Sequence, residues 1–228
     1  MSARIAHVIS FLFALGIVAV VAMFNATPLH ACGALPAKYA PVLAFELARS
    51  LGDVQAIFGG GPSPCREAAV AAFTKINFTD NFYFIPVYSL FTVFFFLGIR
   101  KREPLLAYAG MALAVIAALA DWVENHNLAL IAASPDMPSQ ALPALHYATS
   151  VKWMALGTAG FVGGLILGQS GGWLNNIAFA LCALGLVLTG LGLVYSPTFG
   201  PSISNAILIS WLIFLIGDVR EMFRRAPA

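Results

Sequence analysis

Long runs of apolar residues, separated by short polar segments and one long one, dominate this chain. A helix needs about 20 predominantly apolar residues to cross the hydrocarbon core of a bilayer. The pattern therefore predicts an all-α fold, a polytopic bundle of six transmembrane helices that forms one membrane domain over residues 1–228. The predicted spans are residues 5–24, 82–99, 105–128, 142–167, 174–194 and 203–217.

The long polar segment, residues 25–81, carries a shorter helical pattern. Over residues 41–58, apolar and charged positions fall on two different helix faces, which predicts an amphipathic helix in the first outer loop. Such a helix lies flat on the outer membrane surface or caps the bundle, and a packing lid is the favoured interpretation. A second short helix is expected from Arg66 to Asn77, leading into the second span. The apolar face of the amphipathic helix contains Leu47, Leu51, Val54 and Phe58, and its charged face contains Glu46, Arg49 and Asp53.

The basic residues predict the orientation in the membrane. Short segments rich in Lys and Arg stay cytoplasmic, whereas long loops cross largely regardless of their charge. Segment 25–81 and the loop 129–141 are therefore expected outside, with both termini cytoplasmic, as in a multi-pass protein of the bacterial inner membrane. The short basic segments hold Arg4, Arg100, Lys101, Arg102, Arg220, Arg224 and Arg225, and the long loop holds Lys38, Arg49, Arg66 and Lys75.

The first apolar run also has to be distinguished from a secretory signal peptide. Residues 29–32 read Leu-His-Ala-Cys, which has some likeness to a lipoprotein cleavage box. However, an apolar run of about 20 residues exceeds the 7–15 that are usual in a signal peptide. Retention as a true span is the favoured interpretation.

Composition agrees with a membrane protein. Hydrophobic residues make up 60% of the chain and charged residues 10%, and the net charge is +2. Soluble domains carry about 25% charged residues. The small net charge and the lack of a basic run outside the span flanks exclude nucleic acid as an expected partner.

The three cysteines predict one disulfide. Cys32 and Cys65 both lie in the long outer loop, whereas Cys182 is alone in the fifth span. A pair outside the cytoplasm can oxidise and persist as a disulfide. Two free thiols or a pair of metal ligands remain the alternative. No Cys-x-x-Cys or His-x-x-x-His spacing is present, so no metal site and no cofactor are predicted.

Ionisable residues inside the predicted spans are few, and they are grouped. Such residues are costly in a bilayer and normally face the protein interior. Counted at a rise of 1.5 Å per residue, Asp121 and Lys152 lie about 22–24 Å from the cytoplasmic ends of their spans. Asp80 and Glu124 lie at about 28 Å and His146 slightly higher, close to the outer boundary. The same spans also carry the polar residues Asn81, Tyr88 and Asn125.

This polar layer has two interpretations. In the structural one, Lys152 neutralises Asp121 and the pair fixes the register of the helices, with their side chains within about 4 Å. In the functional one, the excess of carboxylates matters, because Asp80, Asp121 and Glu124 face one lysine and a mostly neutral histidine. Like charges at close range favour protonation of one of them, which could then act as an acid or base.

Four short motifs resemble those of a group of bacterial multi-span membrane proteins to which no activity is assigned. The resemblance covers residues 42–153 and implies a fold, with no function attached to it. The motifs are Phe45-Glu46-Leu47-Ala48, Asp80-x-x-x-Phe84-Ile85-Pro86-x-Tyr88, Ala120-Asp121-x-x-Glu124-Asn125 and Lys152-Trp153.

The leading functional hypothesis is a protein that binds an amphiphilic, lipid-like molecule entering from the outer leaflet, and whether it also modifies that molecule is left open. Asp121 and Glu124 are the candidate acid/base or head-group pair. The candidate ligand-binding residues are Asp80, Asn81, Tyr88, Asn125, His146 and Lys152.

Two alternatives from other classes remain. One is an accessory subunit of a larger membrane complex, in which other membrane subunits are the partners and the polar layer only holds the helices together. The other is a small proton-coupled transporter, which needs a polar path to the cytoplasm. The cytoplasmic halves of the predicted spans contain no charged residue, and this counts against transport.

Overall fold

The computed structural model describes residues 1–36 and 39–223, which form nine α-helices and no strand. Lys38, Arg224 and Arg225, used above to predict the orientation, lie outside the described residues. The helices are α1 (Ala3–Asn25), α2 (Pro41–Glu46), α3 (Leu51–Phe58), α4 (Pro64–Thr79), α5 (Ile85–Ile99), α6 (Pro104–Ala133), α7 (Leu142–Gly168), α8 (Trp173–Val194) and α9 (Ser196–Phe223).

Six helical segments of the described chain are long and apolar enough to cross a membrane. The all-α, six-span prediction is confirmed. Three spans are longer than predicted by several residues: α4 and α5 join through a π-helical turn into one segment, Pro64–Ile99, α6 continues to Ala133, and α9 continues to Phe223. The predicted short helix from Arg66 to Asn77 lies within α4, the N-terminal part of that joined segment.

The amphipathic segment is broken, so the prediction of one helix over residues 41–58 is wrong in this respect. The chain leaves α2 after Glu46, and Ser50 starts α3 as its N-cap. The Ser50 hydroxyl accepts a hydrogen bond from the Asp53 backbone N–H, while the Asp53 carboxylate accepts one from the Ser50 backbone N–H. This reciprocal capping favours a new helix start over continuation of α2.

Both short helices cap the bundle with their apolar sides. Phe45, Val54 and Phe58 are fully buried in a hydrophobic cluster that also contains Phe73 of α4 and Leu128 of α6. Burial of aromatic side chains of this size contributes strongly to packing. The segment is therefore a lid packed on one end of the bundle, and it places the end of α2 over the polar residues described below.

A disulfide and an ion pair fix the loops at the same end. The Cys32–Cys65 disulfide is present, with a sulfur–sulfur distance of 2.07 Å, and confirms the prediction. The buried Arg66 guanidinium donates to the Gly59 carbonyl at 2.6 Å and to both oxygens of Asp136 at 2.7 and 2.8 Å. The bidentate hydrogen bonds from Arg66 hold the pKa of Asp136 below its usual range.

Helix α7 is the central helix. In its most apolar stretch of 18 residues, 61% is buried, compared with 28% in the corresponding stretches of α1 and α8. Glycine allows this packing. A methyl group at Gly164 would lie 2.6 Å from Cys182 Cβ of α8, a distance that forces a shift. Close helix approach through small residues is the usual solution where lipid supplies no hydrophobic drive. Helix α7 thereby carries Lys152 into the middle of the bundle.

A second buried polar pair lies near the opposite end of the bundle, and it corrects the expectation that the cytoplasmic halves lack charge. His7 Nδ1 of α1 is 2.7 Å from Asp218 Oδ1 of α9, and both residues are buried. The expectation failed because the sixth span was predicted to end at 217, one residue before Asp218. Gly98 of α5 makes room for the pair, since a methyl group there would meet the His7 ring at 2.5 Å.

Candidate functional site

Lys152 is the centre of the polar cluster. Its Nζ donates to Glu124 Oε1 at 2.5 Å and to Glu46 Oε2 at 3.1 Å, and it lies 3.4 Å from Asp121 Oδ1. The residue is only 4% exposed. The predicted approach of Lys152 and Asp121 to within about 4 Å is confirmed, but the shortest contact of the lysine is with Glu124.

Asp121 lies beside the lysine with its two oxygens in different surroundings. Its Oδ2 accepts a hydrogen bond from the Tyr88 hydroxyl at 2.9 Å. In the described part of the chain, no donor makes a hydrogen bond to its Oδ1, and the residue is only 3% exposed. Asp121, Glu124 and Asn125 are all buried, as their shared helix face predicts.

A π-helical turn positions the third predicted carboxylate. Residues Asp80–Phe84 form this turn, in which the Ile85 N–H donates to the Asp80 carbonyl. Pro86 follows directly, and its missing N–H weakens the regular helical pattern at this point. Widened turns of this kind occur often at functional sites. Asp80 Oδ2 here accepts a hydrogen bond from Asn125 Nδ2 at 2.8 Å.

Glu46, the last residue of α2, is a member of the cluster that sequence reasoning did not assign to it. Its Oε2 accepts hydrogen bonds from Lys152 Nζ and, at 3.2 Å, from Trp153 Nε1. The Thr149 hydroxyl donates to the Glu46 backbone carbonyl and fixes the end of α2 on α7. Burial raises the pKa of the Glu46 carboxyl above its ordinary value, although the ammonium of Lys152 acts in the opposite direction.

A cavity of about 580 Å³ adjoins the cluster. Its walls come from α1, α4, the π turn, α5, α6, α7 and α9, and the loop and lid residues at 27–29 and 40–42 cover it. One part of the wall is polar, and most of the remainder is apolar or aromatic. The polar part is formed by Glu46, Asp80, Tyr88, Asp121 and Lys152, and the remainder includes Ile17, Val21, Leu156, Leu208 and Trp211.

Not every predicted residue reaches this cavity. His146 is exposed and does not line the cavity, so its assignment as a ligand-binding residue gains no support from the structure. It is six residues from Lys152, about 600° around the helix at 100° per residue, which places the two side chains on different faces. Asn81 lies in a second layer, where its Oδ1 accepts a long hydrogen bond from Asn125 at 3.4 Å.

Glu124 is fully buried behind Lys152 and is not part of the cavity wall. Asn125 likewise supports Asp80 from behind. Of the two candidate acid/base residues, only Asp121 borders the cavity. Glu124 therefore does not touch the cavity itself. It fixes the position of Lys152, which does.

The charges of the cluster do not balance among the described residues. Glu46, Asp80, Asp121 and Glu124 supply four carboxylates, and Lys152 supplies one ammonium. A buried charge without a partner is expensive, so such a cluster favours bound protons or a bound cation. No group of three or more His, Cys, Asp or Glu side chains suited to a metal ion occurs in the described ranges.

No protein-family model matches the chain, and no curated protein or solved structure matches it either.

Proposed function

We propose that the protein binds an amphiphilic molecule in the cavity, with the polar head at the acid cluster and the apolar tail along α1 and α9. The observation that carries the proposal is the position of Asp121 and Lys152 in the wall of an otherwise mostly apolar cavity. Its volume of about 580 Å³ falls within the range of about 300–1,000 Å³ that is usual for small-molecule sites.

The rim of the cavity supports access from the lipid. Val21 of α1 and Leu208 of α9 line the cavity and are 42% and 53% exposed. Both belong to helices apolar enough to span a membrane, so their exposed sides would face acyl chains. An amphiphile can then enter between α1 and α9 with its tail remaining in an apolar environment.

The proposal includes an orientation, with the lid and the disulfide on the outer side of a bacterial inner membrane. The dense basic segment at Arg100–Arg102 supports this assignment. In cells, a cysteine introduced at Gly60 should react with a membrane-impermeant maleimide, and one introduced at Lys101 should react only after the membrane is permeabilised. Labelling of the Lys101 position in intact cells would overturn the orientation.

A bulky residue at the rim should block binding. We expect Leu208→Trp to weaken the binding of dodecyl amphiphiles by about tenfold or more, because the indole would cross the mouth toward α1. The measurement is calorimetric titration of the purified protein in dodecyl maltoside micelles, with protein-free micelles as the reference for partitioning. Dodecyltrimethylammonium, dodecanol and dodecanoate serve as probes with the same tail.

The matched control is Leu212→Trp. Leu212 lies one turn further along α9 with 48% exposure, and it does not line the cavity. This variant should bind the probes like the unchanged protein. Equal affinities for the Leu208→Trp and Leu212→Trp variants, or no binding of any probe to the unchanged protein, would contradict amphiphile binding in the cavity.

If the bound molecule is also modified, Asp121 is the proposed acid or base. It borders the cavity, and its Oδ1 accepts no hydrogen bond from the described part of the chain. Lys152 holds the carboxylate in place, and the Tyr88 hydroxyl fixes its other oxygen. A general acid or base must be within hydrogen-bond reach of the reacting group, and Asp121 meets this requirement for a ligand head in the cavity.

The His7–Asp218 pair makes a small proton-coupled transporter the second candidate, since it places a titratable pair in the other half of the bundle. Along α9, however, Phe214 lies between the cavity and Asp218, and it is 1% exposed and stacks on Phe95 at 3.9 Å. Packed phenylalanine rings offer no polar path for a proton. Proton uptake into proteoliposomes that depends on Asp218 would favour transport over binding alone.

A further inference from the structure

The head group that this cavity accepts is limited first by the hydrogen bonds that Lys152 already makes. Its ammonium donates to Glu46 and Glu124 and has Asp121 at 3.4 Å. An ammonium has three N–H donors. Two of them are used by Glu46 and Glu124, and the ammonium also lies 3.4 Å from Asp121 Oδ1, so an anionic head such as a phosphate or a carboxylate that approached Lys152 would meet three carboxylates around the same charge. The positive charge of Lys152 therefore already interacts with carboxylates of the protein.

The carboxylates of Asp121 and Asp80 have fewer partners within the protein than the ammonium of Lys152 has. Asp121 Oδ1 accepts no hydrogen bond from the described residues, its one charged neighbour being Lys152 Nζ at 3.4 Å, and the residue is only 3% exposed and borders the cavity. Asp80 also borders the cavity, and it is held by the neutral amide of Asn125. A buried carboxylate oxygen without a donor carries a desolvation cost that a ligand donor or cation would offset.

Aromatic rings form the next part of the same wall. The ring of Trp211 stacks on that of Tyr88 at 5.6 Å between centroids, and Phe84 approaches Trp211 at 6.1 Å. All three residues line the cavity. The faces of aromatic rings attract cations, and aromatic groups beside an acid are a common means of binding alkylammonium heads.

We propose that the ligand of this cavity is an amphiphile with a cationic head, an alkylamine or a quaternary ammonium group. The head lies between Asp121 and Asp80 and against the rings of Tyr88 and Trp211, and the tail extends toward Val21 and Leu208. This inference rests on the proposed function, because it names the chemical class of the molecule bound at the same site. It accounts for the excess of carboxylates over ammonium groups in the cluster.

The test compares head groups on one tail. Dodecyltrimethylammonium, dodecanol and dodecanoate are titrated into the protein in dodecyl maltoside micelles, with protein-free micelles as the reference for partitioning. We expect dodecyltrimethylammonium to bind about tenfold or more tightly than dodecanol, and dodecanoate to bind most weakly. Asp121→Asn should remove most of this preference, because the amide keeps the size of the side chain and loses its charge.

Two further variants complete the test. Asp80→Asn removes the other cavity carboxylate from a partly exposed position and should reduce the preference if Asp121→Asn fails to fold. Glu67→Gln removes an exposed carboxylate at the start of α4, outside this cavity, and should leave the preference unchanged.

The outcomes separate the two proposals. Binding of dodecanol or dodecanoate as tightly as the ammonium probe would overturn the cationic head and leave amphiphile binding intact. An unchanged preference in both the Asp121→Asn and Asp80→Asn variants would also overturn it. Failure of all three probes to bind the unchanged protein would overturn the proposed function itself. A preference for the ammonium probe that Asp121→Asn abolishes and Glu67→Gln retains would support both.

Discussion

Replacement of Lys152 by methionine is expected to lower the free energy of unfolding by about 3–5 kcal/mol. Methionine fills much of the space of the lysine stem, so the loss arises from charge more than from packing. The change removes the one ammonium that faces Glu46, Asp121 and Glu124 in the described structure, all within 3.4 Å of Nζ. The measurement is unfolding by titration with dodecyl sulfate in mixed micelles.

The control for this prediction is Lys75→Met, which removes a lysine from an exposed position on α4. It should alter stability little, since exposed charges contribute about 0–1 kcal/mol. Neutralising Glu124 in the Lys152→Met background, by Glu124→Gln, should restore part of the loss, because it removes a buried charge that has no partner. A Lys152→Met protein as stable as the Lys75→Met protein would show that the cluster is not a coupled ionic unit.

The His7–Asp218 pair should produce the second large effect. His7→Ala is expected to destabilise the protein by about 3 kcal/mol or more, because it leaves the fully buried Asp218 without the 2.7 Å contact to Nδ1. The change also opens a cavity between α1 and α5 beside Gly98. Thermal unfolding of the purified protein in micelles measures the loss.

Two matched variants test the cause of this effect. His126→Ala, at an exposed histidine of α6, should leave the unfolding temperature nearly unchanged. Gly98→Ala keeps both partners but pushes a methyl group toward the His7 ring, and it should reproduce part of the loss. Stability that falls equally in the His7→Ala and His126→Ala proteins would show that burial of the pair is not what matters.

The transmembrane architecture could be predicted because apolar length is a local property. Each span corresponds to one contiguous run of apolar residues, and the resulting six-helix assignment is confirmed. The exact ends of the helices were harder to predict, because a helix can continue after its apolar run stops. Asp218 illustrates this: it follows Gly217 in an unbroken helix and contacts a residue 211 positions away, which no local pattern reveals.

The cluster was predicted in part for the same reason. Matching depth and a shared face brought Asp121, Glu124 and Lys152 together correctly. Depth alone could not predict whether His146 joins the cluster, because residues at a similar depth in the membrane can lie on different faces of a helix. Glu46 was assigned to the polar face of a surface helix, and its role depends on the fold of the lid. Its place in the motif Phe45-Glu46-Leu47-Ala48 was the available signal.

The most direct test of the account is to locate a bound amphiphile. Crystals of the protein grown with dodecyltrimethylammonium that carries bromine at the tail end would show the bromine by anomalous diffraction. We expect the head group within contact distance of Asp121 and Trp211, and the bromine near Val21 and Leu208 at the mouth between α1 and α9. Bromine found only on the outer surface of the helices, with the cavity beside Asp121 holding nothing but water, would contradict it.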